Sequence, residues 1–510
     1  MVVQSEGGNS TGSLRRQATE GVFWVTVARV LSRALSFAST LILARLLVPD
    51  QFGLVWVADL AVNAFLLLQE MGLGAALIYR KDRIEEAANT AFFAMVGGSL
   101  VLYLLALVTA PLMASVFSRD PNTIPQIIPI LRVLSLTLVI SAIARVPQAL
   151  LSKELDFRRK IMPKLLGGLA GAIVSISLAL AGLGVQSMVL GRICSSLVSA
   201  ASVWYFVRWR PALSFNLGLA REMVDYAKHI LGSQIMVFFI TNIDDAFVSR
   251  YLGAWALGVY GLAYKISNTP ATEISRLIGE VMFPTFSKVG EDRERMKRMY
   301  LRTTRYVAMV SVPISLCIIF FAEYFVYSAY GRRWAGAIVP IQLLGVYGML
   351  RSIAVNMGSV FKAAGKPKWL LYIATWRLAT MGLLLYPVTI RWGVAGVSAL
   401  SAIVSVVDFG ISVALVNRAI GTTVLDYVRM LVPVLVFSTV AAATSRAAAP
   451  YLYDLLGKSY FSLPVCAVIL AVIYGGLLWL TDAELRRIAR TALKYWRLRT
   501  GRLAGETGEN

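Results

Sequence analysis

Charge is scarce in this chain. Of 510 residues, 15% are Asp, Glu, Lys or Arg against 57% hydrophobic, and the mean hydropathy is +0.68. Such a balance excludes an ordinary water-soluble globular protein of this length. Histidine is almost missing: its single copy, His229, falls at an expected helix end, which leaves no material for a histidine proton relay. The three cysteines, Cys194, Cys317 and Cys466, sit inside apolar runs without the spacing of metal ligands or of a disulfide framework, so they read as packing residues. Residues 1–20 contain Arg15 and Arg16 but no short apolar core with a small-residue cleavage site, so the N-terminus is expected to be retained. A nucleotide-binding loop is lacking too. Gly457-Lys458-Ser459 repeats the end of that motif, but Leu452 stands where its first glycine belongs, which argues against an ATP-driven pump. No external connection is long enough for an acceptor-binding domain, which argues against a membrane glycosyltransferase or polymerase.

What the chain does have is apolar runs of about 20 residues from end to end, each long enough as a helix to cross a hydrocarbon core of ~30 Å. About fourteen are expected, giving an all-α polytopic membrane protein. With a cytoplasmic N-terminus, alternate connections hold about 33 of the basic residues and the intervening ones about 8, the asymmetry of the positive-inside rule. Both termini are then cytoplasmic. A net charge of +22 is thereby explained by topology, with no need of nucleic acid.

The stretch from His229 to Lys288 organises the rest. Its turn, Ser249-Arg250-Tyr251-Leu252 through Gly258-Val259-Tyr260-Gly261, matches the earlier Ala44-Arg45-Leu46-Leu47 through Gly53-Leu54-Val55-Trp56. Gly184-Val185 similarly matches Gly393-Val394, and Lys153 matches Lys362. Offsets of about 205 and about 209 residues are near enough to constant to indicate a duplicated half. Six spans per half is an even number, so the halves are expected to be parallel repeats. The expected division is a cytoplasmic tail (1–20), spans 1–6 (21–207), a polar linker (208–227), spans 7–12 (228–418), two further apolar spans (419–482) and a basic cytoplasmic tail (483–510). Pro270 and Pro284 favour a bent or broken span 8.

Several ionised groups remain inside the spans. A charge at the bilayer centre costs about 2.5 to 3.5 kcal/mol even on the lenient insertion scale, so these groups should face protein or a wet cavity. Glu273, Arg276 and Glu280 are spaced to pair along one helix face. Arg145, Arg192 and Glu280, nearer span ends, are placed to snorkel. The deeper cations, Arg29, Arg33, Lys265, Arg351 and Arg377, are more numerous than local pairing needs, and guanidinium forks suit phosphate oxygens, so they are candidate substrate-binding residues. Asp59, Asn242, Asp244, Asp245 and Asp408 are candidates for coupling transport to H⁺ or Na⁺, with pairing of Asp59 to Arg29 or Arg33 as the structural alternative. No other cofactor or metal is expected.

Four segments carry a family resemblance: Gly21-Val22-Phe23-Trp24; Ala44-Arg45-Leu46-Leu47-Val48-Pro49-Asp50-Gln51-Phe52-Gly53-Leu54; Glu70-Met71-Gly72-Leu73-Gly74-Ala75-Ala76-Leu77-Ile78; and Ala364-Gly365-Lys366-Pro367. The chain resembles bacterial polysaccharide flippases of the multidrug, oligosaccharidyl-lipid and polysaccharide exporter superfamily over residues 21 to about 480. That resemblance implies two six-helix lobes around a central cavity, two extra helices and alternating access. The implied substrate is a polyprenyl-pyrophosphate-linked oligosaccharide, turned across the cytoplasmic (inner) membrane for exopolysaccharide or lipopolysaccharide assembly beside a polymerase and glycosyltransferases. Cavity arginines in such proteins make Arg29, Arg33 and Arg351 candidates. A flippase of lipid II, the peptidoglycan precursor, shares the anionic handle and is the alternative. A cation-coupled drug exporter of the same superfamily fits less well, since cationic ligands favour an acidic cavity.

Overall fold

With no water in the hydrocarbon core, long apolar runs satisfy their backbone groups only by forming helices or closed barrels, and this chain forms helices. The computed structural model describes residues 30–70, 74, 77, 82–153, 157–289, 292–456, 459–481 and 486, with no strand among them. Among these residues twelve α-helical elements follow in order: α1 (30–46), α2 (Pro49–Glu70), α3 (Ile84–Phe117), α4 (Ile124–Lys153), α5 (Phe157–Leu180), α6 (Val185–Phe206), α7 (Leu217–Val289), α8 (Arg293–Phe325), α9 (Ile338–Ala363), α10 (Lys368–Ile420), α11 (Val424–Leu456) and α12 (Ser459–Thr481), with a π-helical turn (Val326–Tyr330) and a 3-10 turn (Arg332–Ala337) between α8 and α9. Ten stretches of the described residues are long and apolar enough as helices to cross a bilayer. The molecule is a multi-pass membrane protein.

Two elements are too long to be single spans. Each is broken by a glycine in a backbone conformation open to few other residues: α7 at Gly253 (φ 86°, ψ −177°) and α10 at Gly393 (φ 57°, ψ −145°). Gly184, the sequence counterpart of Gly393, has nearly the same conformation, φ 55° and ψ −126°. The helical run of α7 continues across positions 270 and 284, so the break seen among its residues is at Gly253.

Close helix contact occurs at small residues of the two matched segments. On the repeat offset Pro49 corresponds to Ala254, Gly53 to Gly258 and Trp56 to Gly261. A Cβ on Gly53 would stand 1.8 Å from the Ala254 carbonyl oxygen, and one on Gly258 would stand 2.0 Å from that of Pro49. Each contact is the image of the other, as in an isologous interface. A Cβ on Gly261 would meet the Trp56 ring at 2.5 Å, a pair that maps onto itself. Nearby, the buried Trp334 donates from its indole nitrogen to the Ala44 carbonyl at 2.8 Å and packs edge-on against Phe52.

By contact density the chain forms two units. The first holds the residues up to Leu262 together with Tyr330–Trp334 and Leu378–Leu400; the second holds Ala263–Ala329, Ala335–Arg377 and everything from Ser401 onward. In the first, the polar segment between α6 and α7 is pinned to α3. Asn89 donates to Ser214 Oγ at 3.1 Å and accepts from the Ala212 N–H, while Asn216 donates to Glu86 at 2.8 Å. In the second, α8, α11 and α12 share an apolar core that includes Val312, Phe321, Val434, Ala441 and Leu470.

Candidate functional site

Gly348 lets α9 approach the second arm of α7. A Cβ there would lie 2.2 Å from the Ser267 carbonyl oxygen, and the Ser267 hydroxyl closes the contact by donating to the Ile341 carbonyl at 3.0 Å. That close approach brings Tyr347 and Arg351, one turn apart on α9, against Tyr264 and Asn268, one turn apart on α7. Arg351 Nη1 donates to the Tyr347 hydroxyl at 2.8 Å, to the Tyr264 hydroxyl at 3.2 Å and to Asn268 Oδ1 at 3.5 Å. The two phenol oxygens are 3.4 Å apart.

A second guanidinium reaches the same phenol from α10. Arg377 Nη2 donates to the Tyr347 hydroxyl at 3.1 Å, and its carbon stands 5.3 Å from the centre of that ring. Arg377 and Asp408 lie nearly equidistant from Gly393 along α10, so the glycine break folds its two arms back with these side chains in register. Arg377 Nε is 3.9 Å from Asp408 Oδ2, an ion pair without hydrogen-bond geometry, and both Arg377 Nε and Asp408 Oδ1 are buried without a hydrogen-bond partner. Among the described residues the cluster therefore holds two guanidiniums, one carboxylate and neutral oxygens, with the Arg377 Nε donor unused. Among the described residues Arg351 makes its hydrogen bonds through Nη1.

The structure thus brings together three residues singled out in the sequence: Arg351, Arg377 and Asp408. Tyr264, Asn268 and Tyr347 were missed because neutral polar residues on an apolar helix carry no charge signal. Their spacing was the available clue, since Tyr347 precedes Arg351, and Tyr264 precedes Asn268, by four positions. Lys265 follows Tyr264 on α7 and is exposed, as is Arg33 on α1. Arg29 and the side chains of Glu273, Arg276 and Glu280 lie outside the described residues.

The acidic candidates of the first unit are held differently. Asp59 on α2 pairs with Arg192 on α6 at 2.7 Å, with the carboxylate side chain 12% exposed. Among the described residues its partner is therefore Arg192, a residue expected to snorkel, rather than Arg33; the suggested alternative Arg29 lies outside them. Tyr260 donates its hydroxyl to Asp244 Oδ2 at 2.6 Å, and both residues are buried. Asp244 Oδ1 in turn accepts the Asp245 N–H at 3.1 Å. Asp245 makes no side-chain hydrogen bond or ion pair among the described residues. Asn242, one turn before it, donates its amide nitrogen to the Phe238 carbonyl at 2.8 Å and to Thr241 Oγ1 at 2.9 Å, leaving Oδ1 available. No group of three or more His, Cys, Asp or Glu suited to holding a metal occurs among the described residues.

A family described as polysaccharide biosynthesis protein matches residues 42–339. Among curated relatives, the chain is 27% identical to the lipopolysaccharide biosynthesis protein WzxC of Escherichia coli, over 69% of this chain and 71% of that one. It is 26% identical to the teichuronic acid biosynthesis protein TuaB of Bacillus subtilis (78% and 82%) and 26% identical to the succinoglycan biosynthesis transport protein ExoT of Rhizobium meliloti (65% and 66%). Among solved structures it resembles the lipid II flippase MurJ in an inward closed conformation, with a TM-score of 0.70 at 13% identity over 90% of this chain and 99% of that one. An inward-facing multidrug transporter of the MATE family gives 0.61 at 16% identity, over 77% and 96%. At such identities these likenesses establish the fold alone, an all-α arrangement of membrane-spanning helices.

Proposed function

We propose, from the premise that this chain belongs to the polysaccharide biosynthesis protein family, that it is a flippase for a lipid-linked oligosaccharide. It is a transporter and not an enzyme. Its substrate is a polyprenyl-pyrophosphate-linked oligosaccharide, moved across the cytoplasmic membrane by alternating access of two six-helix lobes, with both termini cytoplasmic. The product feeds exopolysaccharide or lipopolysaccharide assembly, where a polymerase and glycosyltransferases act before and after it. The relatives named for lipopolysaccharide, teichuronic acid and succinoglycan support this reading over peptidoglycan. The likeness to a lipid II flippase is one of fold.

The observation that carries the chemistry is the convergence of Arg351 and Arg377 on one neutral phenol oxygen, Tyr347 Oη, at 2.8 and 3.1 Å. Two guanidiniums sharing one uncharged acceptor are under-neutralised, and an anionic oxygen is the better partner for both. A pyrophosphate entering the cluster replaces the phenol as acceptor and takes up the unused donors, while its prenyl chain stays in lipid. Asp408 offsets part of the positive charge, which keeps binding weak enough for release. Arg29, Arg33 and Lys265 are further contacts in the same proposal. Coupling to H⁺ or Na⁺ is assigned to the set Asp59, Asn242, Asp244, Asp245 and Asp408. Within it, the Asn242 Oδ1 and Asp245 carboxylate pair is the best supported, because both have acceptor capacity left and lie one turn apart.

Translocation of a fluorescent polyprenyl-pyrophosphate oligosaccharide in proteoliposomes tests the reading. Arg351→Gln/Arg377→Gln should slow it about 10²- to 10⁴-fold, each lost charge-assisted contact being worth about 1.5 to 3 kcal/mol. An unchanged rate with normal insertion removes the cluster from the transport path, and equal transport of lipid II would replace the substrate assignment.

A further inference from the structure

The ion pair of the first unit lies deeper than an interfacial pair should. Asp59 is ten residues into α2, about 15 Å along a helix of 22 residues. Arg192, seven residues into α6, holds its Nη1 2.7 Å from Asp59 Oδ2, so its guanidinium sits at the depth of the carboxylate and has not snorkelled to the helix end. Asp59 is 12% exposed, yet the Arg192 side chain is 48% exposed. Hydrocarbon is a costly surrounding for a charge at that depth, so the open side of the guanidinium faces water or a polar ligand.

The same face of α2 carries a second open polar group. Asn63, one turn beyond Asp59, is partly buried and makes no side-chain hydrogen bond among the described residues. An amide on an apolar helix is expensive unless something polar reaches it. At the repeat offset of 205 residues Asp59 corresponds to Tyr264 and Asn63 to Asn268, the two positions on which Arg351 docks in the second unit, at 3.2 and 3.5 Å. Each half thus presents the same pair of positions to a guanidinium. Charge separates them. In the second unit two guanidiniums face one carboxylate among the described residues, whereas Arg192 and Asp59 neutralise each other. A balanced pair gains little from a phosphate. What it offers is a carboxylate acceptor, guanidinium nitrogens beyond Nη1 and an amide that donates and accepts, a set that suits the hydroxyls of a sugar, each both donor and acceptor.

We infer that Asp59, Asn63 and Arg192 form a saccharide subsite in the first unit. Asp59 accepts from sugar hydroxyls, Arg192 donates to them through the nitrogens that Asp59 leaves open, and Asn63 does both. The inference rests on the flippase reading for the origin of the sugar, the oligosaccharide of the lipid-linked substrate, and adds a recognition element that holds no phosphate. Within the coupling set it gives Asp59 a different task, since its charge is already balanced.

Lipid-linked oligosaccharides extracted from the producing cells supply two probes, the intact lipid and the free oligosaccharide released from it by mild acid. Native mass spectrometry of the full-length protein reads retention of the free oligosaccharide, and inorganic pyrophosphate is titrated separately by thermal stabilisation. Wild type should retain the sugar. Arg192→Gln should weaken that retention about tenfold and Asn63→Ala about fivefold, while both respond to pyrophosphate as wild type does. Arg351→Gln/Arg377→Gln should show the reverse, losing the pyrophosphate response and keeping the sugar. Asn63→Ala leaves the ion pair intact, which covers the case in which Arg192→Gln does not fold. The subsite is overturned if wild type does not retain the free oligosaccharide, if both variants retain it as wild type does, or if the pyrophosphate response falls in step with it. It is overturned too if Asp59→Asn keeps the sugar and only blunts the response to imposed ion gradients. Retention of the sugar without translocation of the intact lipid supports the subsite and strikes the flippase reading alone.

Discussion

Two buried tyrosines do opposite work in the two units. In the first, Tyr260 donates its hydroxyl proton to the Asp244 carboxylate at 2.6 Å. In the second, the Tyr347 oxygen accepts from Arg351 and Arg377. A phenol is both donor and acceptor, so one residue type stabilises a buried anion in one place and two buried cations in another without adding charge of its own. The difference lies in what is left over. Around Tyr260 the acids have a donor or an ion pair, with Asp245 as the exception. Around Tyr347, among the described residues, two guanidiniums face one carboxylate. The first arrangement suits holding or exchanging a cation, the second receiving an anion.

Experiments that break this comparison differ widely in expected size. Gly348→Val should act most strongly, because a side chain 2.2 Å from the Ser267 carbonyl forces α9 away from α7 and dismantles the Tyr264–Tyr347–Arg351 contact. Loss of transport together with a lowered melting temperature is expected, and normal transport would mean that the helices separate without consequence. Next comes Tyr347→Phe, which removes the shared acceptor and leaves two guanidiniums facing one carboxylate. Inorganic pyrophosphate should then stabilise the variant more than wild type, by up to about 2.7 kcal/mol at a hundredfold excess over its dissociation constant. Tyr260→Phe is the matched control and should show no gain in pyrophosphate response.

Smaller effects are expected among the acids. Asp59→Asn leaves Arg192 without its carboxylate, but that arginine side chain is 48% exposed and can turn to water, so a loss of about 1 kcal/mol in unfolding experiments is expected rather than the several kcal/mol of a fully buried pair. Smallest in stability is Asp245→Asn, whose carboxylate has no hydrogen bond or ion pair among the described residues to lose. Its effect should appear only as a blunted transport response to imposed H⁺ or Na⁺ gradients. A full response in that variant would remove the coupling role from Asp245.

Much of the fold was legible in the sequence because its cause is one-dimensional. A run of about 20 apolar residues has only one economical structure in lipid, and glycine at 184 and 393 marked breaks that recur with almost equal φ and ψ. The matched glycines at 53 and 258 were visible as a repeat. That each would sit against the other's partner carbonyl was not, since a close helix crossing depends on two distant segments at once. The candidate site was half legible. Arg351, Arg377 and Asp408 stood out because ions in apolar helices are costly. Tyr264, Asn268 and Tyr347 did not, because a neutral hydroxyl or amide on such a helix is unremarkable until a guanidinium is seen beside it.

By itself, then, the sequence determined that this chain spans a membrane many times as helices, that segments of its two halves match at nearly constant offsets, and that charged residues stand inside its apolar runs. These follow from composition and spacing, which act residue by residue along the chain. Only the tertiary structure decided the partnerships: Asp59 with Arg192, Asp244 with Tyr260, and two arginines on a single phenol. Electrostatic and hydrogen-bond energies fall off within a few ångströms, so they are set by which helices meet and at what register, and that is fixed by where glycines such as Gly348 and Gly393 let the backbone approach or turn.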